Sequence, residues 1–298
     1  MICPIDRSSV FDPTPFYYVW NNKRFQLVKC RGCGLISLDP KPTDEELKLL
    51  YSEDYFDHGA HGLDHYQKTY EEMKDAVPIE ERTQKIKDTI LKEKPDAKSL
   101  FEIGAAMGYY LDAVRSLGLQ VSGLEISAAA NKRAKEKFGF DLYGGDFEKI
   151  DLSNEYGKWD VVYGGDVFEH FSNPEIVVQK IFDLLKPKGI AYIVVPSTFN
   201  LFSTKIATLG LKTLGKQQRL VDNPYHLYEY TSSTIKKIFE TYFDDVRVIN
   251  HIKKPSELNL KTKSFGYRMK YGIHLINYPF TKIFHAYGDR LTVVARKP

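Results

Sequence analysis

The sequence predicts an α/β protein organised around a doubly wound parallel sheet, and three observations carry that reading. Beyond Pro95, short apolar runs alternate with segments of helical spacing, the pattern of strands joined by crossover helices. The first run, Ser99-Leu-Phe-Glu-Ile103, leads into the small-residue turn Gly104-Ala-Ala-Met-Gly108 and then into helical spacing from Tyr109 to Leu117, which reads as strand, tight turn and helix start. A hydrophobic content of 43% over 298 residues is enough for a sizeable core.

Residues 1–42 read as a small β-rich unit. Tyr17–Trp20 and Arg24–Lys29 form a hairpin across Asn21-Asn22-Lys23, which leads into Cys30-Arg-Gly-Cys33. All three cysteines precede residue 34, too few for a disulfide framework, and a unit with so small a core commonly needs a metal. Cys3-Pro-Ile-Asp6 before the hairpin and Cys30-Arg-Gly-Cys33 after it resemble the two knuckles of a zinc ribbon, with Asp in place of one Cys. Cys3, Asp6, Cys30 and Cys33 are therefore the candidate ligands of a structural zinc, the alternative being a relic ribbon held by packing alone.

Asp39-Pro-Lys-Pro42 is a stiff exit, and Thr43-Asp-Glu-Glu46 a capping-box start to a helix reaching Tyr51. Residues 43–95 read as a helical linker or lid, broken near 57–62 and at Pro78. His58, His61 and His65 in that break read as solvated surface. The sheet domain, 96–298, is expected to contain strands at 98–103, 119–125, 140–144, 159–164, 189–196, 245–251 and 290–296. Helices are expected at 108–117, 127–138, 174–186 and 231–243. Two insertions interrupt it, at 198–225 and 252–289. The first is an apolar-basic lid segment in which Gly210 and Gly215 weaken a continuous helix.

Charge is nearly balanced, with 42 Lys and Arg against 39 Asp and Glu, and forms no basic block, so no nucleic-acid partner is expected. There is no cleavable apolar start and no apolar run of about 18 residues, so the chain is expected to be cytoplasmic and without a transmembrane segment.

The motifs discriminate further. Glu102-x-Gly104-x-Ala106-x-Gly108 resembles the acidic, glycine-rich turn of class I S-adenosylmethionine-dependent methyltransferases and differs from the G-x-G-x-x-G of dinucleotide dehydrogenases. Ala106 replaces the middle glycine, from which a conventional φ is expected there. Leu124-Glu125-Ile126-Ser127, Gly144-Gly-Asp146-Phe147, Trp159 to His170 through Asp166-Val-Phe-Glu169, and Leu185-Lys-Pro-Lys-Gly189 extend the resemblance over residues 98–251 and the closing strand.

The resemblance implies a seven-stranded, Rossmann-like methyltransferase sheet and S-adenosyl-L-methionine as cofactor. It implies that Glu102 holds the methionine amino group, and that Gly104, Ala105, Ala106 and Gly108 let backbone approach the methionine and ribose. Glu125, next to Ile126, binds ribose, Asp146 binds adenine with Phe147 packed on the base, and Asp166 lines the pocket. Read without it, Glu102 is a capping acid and Asp146 the N-cap of a short helix.

Tyr225-His-Leu-Tyr-Glu-Tyr-Thr231, the cysteine-bearing head and Tyr51-Ser-Glu-Asp-Tyr-Phe56 resemble bacterial methyltransferases of sugar, surface-polysaccharide and antibiotic-sugar pathways. That implies a small-molecule acceptor, a sugar or nucleotide sugar; a phenolic or quinone acceptor and a non-catalytic scaffold are the alternatives. A hydroxyl or carbon acid must lose a proton to accept a methyl, and His170 and His226 are the candidate bases, each with a structural role as the alternative. Glu169 either lines the pocket or orients His170.

Overall fold

The structure, a computed structural model, describes residues 1–50, 70–220, 223–252, 254 and 265–298. His58, His61, His65 and the Tyr51–Phe56 motif lie outside the described residues.

The central sheet has seven strands: β4 (Ser99–Ile103), β5 (Gln120–Glu125), β6 (Tyr143–Gly144), β7 (Trp159–Gly165), β8 (Leu185–Pro196), β11 (Asp245–His251) and β12 (Arg290–Arg296). Their order is β11-β12-β8-β7-β4-β5-β6. β4 to β8 run parallel, while β12 is antiparallel to both β8 and β11. The chain moves outward from β4 to β5 and β6, then returns to the other side of β4 as β7. This reversal opens a crevice at the carboxyl ends of β4, β5 and β7, the usual ligand position in such sheets.

Every residue of β4 is buried, as a strand covered on both faces requires. The helix Tyr109–Ser116 buries Leu111, Ala113 and Val114 against the sheet and Tyr109 against Phe138. The helix Ala128–Phe138 is capped by Ser127, whose hydroxyl accepts from the Ala130 N–H, and stopped by Gly139 at φ +74°. Several boundaries differ from expectation, and the strand expected at 140–144 is only Tyr143–Gly144. The helix expected at 174–186 ends at Leu184, because Pro187 disfavours helical geometry at Lys186, and β8 begins at Leu185 instead of 189. The helix expected at 231–243 spans Ser232–Phe239.

The N-terminal unit is a five-stranded sheet in the order β10-β3-β2-β1-β9. It comprises β1 (Phe11–Trp20), β2 (Lys23–Cys30), β3 (Ile36–Asp39), β9 (Gln218–Arg219) and β10 (Tyr228–Glu229). Trp20 pairs with Lys23, so the hairpin turn is the two residues Asn21 and Asn22, both left-handed at φ +49° and +56°. Two of the five strands thus come from far along the chain. Phe25, Leu27, Leu35 and Leu38 of the head belong to the same buried cluster as Phe168, Tyr230 and Phe239.

Thr43 and Glu46 form the expected reciprocal cap, and the helix there spans Asp44–Leu50. The helix Phe202–Thr213 runs through Gly210 despite its low helix propensity, because packing against the helix Phe265–Phe284 and β1 holds it. It ends just before Gly215, at φ +60°. Among the described residues no helix is long and apolar enough to cross a membrane.

The Ser232–Phe239 helix, which buries Ile235, Ile238 and Phe239, is entered through a full capping box between Thr231 and Thr234. Thr231→Ala is expected to cost about 1 kcal/mol, read as a lower urea midpoint at unchanged slope.

Candidate active site

The turn after β4 is built by close approach. Gly104 sits at φ +72°, and a Cβ there would lie 3.0 Å from the Val167 Cγ2. Gly108 sits at φ +80°, with the Phe140 ring 2.9 Å from where its Cβ would be. Gly104 and the buried Ala105 both donate backbone N–H bonds to the Leu124 carbonyl, at 2.9 and 3.0 Å, tying the turn to the end of β5. Ala106 is left-handed at φ +47°, which corrects the expectation of a conventional φ. Its N–H donates to Glu125 Oε2 at 2.8 Å, and that bond holds the conformation.

Glu102 and Glu125, each 5% exposed, end adjacent strands. Glu125 is the better satisfied, because Oε1 also accepts from the Ser127 N–H at 2.8 Å. Burial raises its carboxyl above the usual range and these backbone donors oppose the rise. Glu102 Oε2 accepts no hydrogen bond among the described residues. Burial pushes Glu102 well above the usual carboxyl range, the charge of Glu125 adds to this, and Lys74 offsets part of it.

Ile126 beside Glu125 is 58% exposed. Gly145 N–H bonds the Glu125 carbonyl at 3.3 Å, which brings the Asp146 turn alongside β5. Asp146 Oδ1 accepts from the Glu148 N–H at 2.9 Å, a capping arrangement, and Oδ2 lies 3.3 Å from Lys149. Phe147 points into the core, 1% exposed, with its ring 5.9 Å from Phe171. Asp166, at φ +55° after β7, pairs with Arg290 at 2.7 Å.

A second group lies on the same loop as Val167. Glu169, 1% exposed, has both carboxylate oxygens without a hydrogen bond among the described residues. His170 Nε2 is 3.6 Å and His226 Nε2 3.8 Å from Glu169 Oε1, with the two rings 5.1 Å apart. Each imidazole is anchored through its other nitrogen: His170 Nδ1 bonds the Tyr225 carbonyl at 2.9 Å, and His226 Nδ1 lies 3.1 Å from Glu229 Oε1. Burial raises Glu169 to about 8, against the pull of His226. Desolvation alone would lower His226, but the Glu229 hydrogen bond and the charges of Glu229, Glu169 and Asp166 outweigh it, giving about 9.

The structure therefore joins the Gly104–Gly108 turn and Glu125 by hydrogen bonds, sets Glu102 at the end of the adjacent strand without one among the described residues, and gathers His170 and His226 around Glu169. Lys74, Glu229 and Arg290 were not singled out by the sequence. Glu229, three residues after His226 in the same motif, is the one with a local signal.

In the head, Cys3 Sγ lies 3.4 Å from Cys33 Sγ, and Cys30 Sγ 3.4 Å from each oxygen of Asp6. One ligand atom from each of the four falls within 4.8 Å of all the others. A Cβ at Gly32 would sit 2.0 Å from Asp6 Oδ2, so a side chain there would push that carboxylate aside.

The methyltransferase domain family matches residues 77–242. The chain belongs to that family. It is a class I, S-adenosylmethionine-dependent methyltransferase. Among solved structures, a methyltransferase from Archaeoglobus fulgidus shares the fold at a TM-score of 0.51 and 18% identity, over 76% of this chain and 97% of that one. One from Thermotoga maritima gives a TM-score of 0.49 and 16% identity, over 77% and 95%. No curated protein matches the chain.

The raised pKa of Glu102 sets a stability slope for this methyltransferase. The folded protein keeps a proton that the unfolded chain releases, so stability falls as pH rises from the ordinary carboxyl range towards the folded pKa, by up to about 1.4 kcal/mol per pH unit. Urea unfolding of the ligand-free protein between about pH 5 and about pH 7 checks it: Glu102→Gln is expected to remove this contribution to the slope.

Proposed function

We propose that this methyltransferase methylates a sugar or nucleotide sugar, at a hydroxyl or at the carbon acid beside a sugar carbonyl. The observation that carries the reading is the Glu169–His170–His226 group, held against the turn by the contact between Val167 and Gly104. The sugar class rests on the head and on the Tyr225–Thr231 motif, which together resemble sugar-pathway enzymes.

The residues at the crevice fit the cofactor. Glu102 Oε2, buried and without a hydrogen bond among the described residues, suits a cationic amino group, and the left-handed turn at Gly104, Ala106 and Gly108 leaves backbone open to close approach. Glu125 keeps lone pairs for the ribose hydroxyls beyond its two backbone bonds. Asp146 takes the adenine amine, and the exposed Ile126 offers an apolar surface. The fully buried Phe147 supports the Asp146 turn from below. When bound, S-adenosylmethionine supplies a methyl on a positively charged sulfur. The chain aligns the acceptor behind that methyl and sets the acceptor atom against the Glu169–His170–His226 group, where its proton leaves and whose histidines Tyr225 and Glu229 orient. Asp166, fixed by Arg290, lines the same edge.

We assign a structural zinc to Cys3, Asp6, Cys30 and Cys33. The mixed sulfur and oxygen set is one zinc accepts, and the four groups converge without rearrangement of the chain.

Calorimetry with S-adenosylmethionine and transfer assays on sugar nucleotides, phenols and quinone precursors test the reading. Asp146→Ala is expected to weaken cofactor binding at least about tenfold, while His170→Ala leaves it nearly unchanged and lowers transfer at least about a hundredfold. Equal losses of binding from both, transfer only to phenols, or no cofactor binding at millimolar concentration would each refute part of it. For the head, Gly32→Ala is expected to displace Asp6 and lower the zinc content measured by elemental analysis.

A further inference from the structure

Glu169, His170 and His226 have the composition and arrangement of a metal centre. Burying a carboxylate whose oxygens accept no hydrogen bond among the described residues is costly, and native proteins place such a group against a counter-charge or a cation. Here two imidazoles face it, and each has Nδ1 engaged by an acceptor, the Tyr225 carbonyl for His170 and the Glu229 carboxylate for His226. That pattern puts a proton on Nδ1 and turns each Nε2 towards Glu169, where a bound cation would take the place of a proton on Nε2, the outer-shell arrangement of metal-ligating histidines. The two Nε2 atoms lie 3.6 and 3.8 Å from Glu169 Oε1, and one ligand atom from each residue falls within 4.8 Å of the others. Bonds of about 2.0–2.2 Å to a shared cation span such separations.

We propose that Glu169, His170 and His226 bind one divalent transition-metal cation, of the zinc, manganese, iron or cobalt class, that activates the methyl acceptor. Two imidazoles and one carboxylate leave coordination positions for solvent and substrate, unlike the closed four-ligand group of the head. Access runs past the histidines, whose side chains are 16% and 28% exposed while Glu169 is 1% exposed. A divalent charge at this point lowers the pKa of a coordinated hydroxyl or stabilises the enolate of a carbon acid. The acceptor atom gives its proton to solvent and forms its bond to the methyl carbon, and the electron pair of the broken S–C bond stays on sulfur. The inference rests on the reading that the acceptor is activated at this group, but cation binding is measured independently of turnover.

The test is a Co2+ titration of the full chain as purified, followed by visible absorption. A band saturating at one Co2+ per chain is expected, free of the thiolate charge-transfer absorption that binding at the head would produce. Glu169→Gln and His226→Asn should each weaken it at least about tenfold while circular dichroism and S-adenosylmethionine binding stay as in the parent. Chelation should abolish methyl transfer and Mn2+ or Co2+ restore it. Absence of a saturable thiolate-free band, or a band unchanged in both variants, overturns the inference. Transfer that survives chelation but is lost in His226→Asn also overturns it and leaves a histidine base in place. A Co2+ site with no transfer to any sugar sustains the cation and overturns the acceptor class.

Discussion

Three carboxylates withdrawn from water at one edge of the sheet constrain this protein. Glu102, Glu125 and Glu169 are 5%, 5% and 1% exposed, close to the carboxyl ends of β4, β5 and β7. An ionised carboxylate moved into such surroundings loses several kcal/mol of hydration unless a partner restores it. The three are compensated to different degrees. Two backbone donors reach Glu125 and draw the turn after β4 onto the end of β5. Among the described residues, Glu102 has the charge of Lys74 in partial compensation. Glu169 faces two imidazoles without a hydrogen bond to either. The incompletely compensated groups mark where charge of opposite sign is missing, which is why the proposed cationic ligand is set at Glu102 and the proposed cation at Glu169.

The small head takes part in this arrangement. β10, which carries Glu229 and follows His226 by one residue, is an edge strand of the head sheet, paired with β3. The Leu38 N–H bonds the Leu227 carbonyl at 3.0 Å, and the Leu227 N–H bonds the Glu169 carbonyl at 3.0 Å. A continuous run of backbone hydrogen bonds therefore leads from the hairpin, through β3, to the loop bearing the buried acid. β3 leaves the same knuckle that gathers Cys30 and Cys33 opposite Cys3 and Asp6. Whatever fixes that knuckle also fixes the register in which His226 meets Glu169, since a one-residue slip in β3–β10 would turn alternate side chains to the opposite face.

Local signals in the sequence served well where the structure is local. The alternation of apolar runs and helical spacing located β4, β5, β7, β11 and β12 to within a residue or so at each end, and Thr43-Asp-Glu-Glu46 announced its cap. Strands β9 and β10 are two residues each, too short for any periodicity, and exist because distant edges accept them. The Asp166–Arg290 pair joins the end of β7 to the start of β12, across more than a hundred residues. Gly210 lies inside a helix because tertiary packing outweighs a propensity cost of about 1 kcal/mol. At the candidate site, the residues named by motif were legible. Their satisfaction was not, because whether Glu102 or Glu169 finds a donor depends on where other loops come to rest.

Ala106 shows how these levels compete. A left-handed alanine costs roughly 1–2 kcal/mol relative to the ordinary helical region, and a glycine in its place would avoid that cost. Its N–H, however, is held by a buried carboxylate, and hydrogen bonds to charged groups contribute about 1.5–3 kcal/mol. The bond therefore matches or exceeds the strain as long as Glu125 is ionised, and protonation of Glu125 would weaken the bond while leaving the strain in place. The shape of the turn is thus coupled to the charge of the acid at the end of the neighbouring strand. A ligand that adds donors to Glu125, as a pair of ribose hydroxyls does, favours the ionised form and with it the left-handed turn at Ala106.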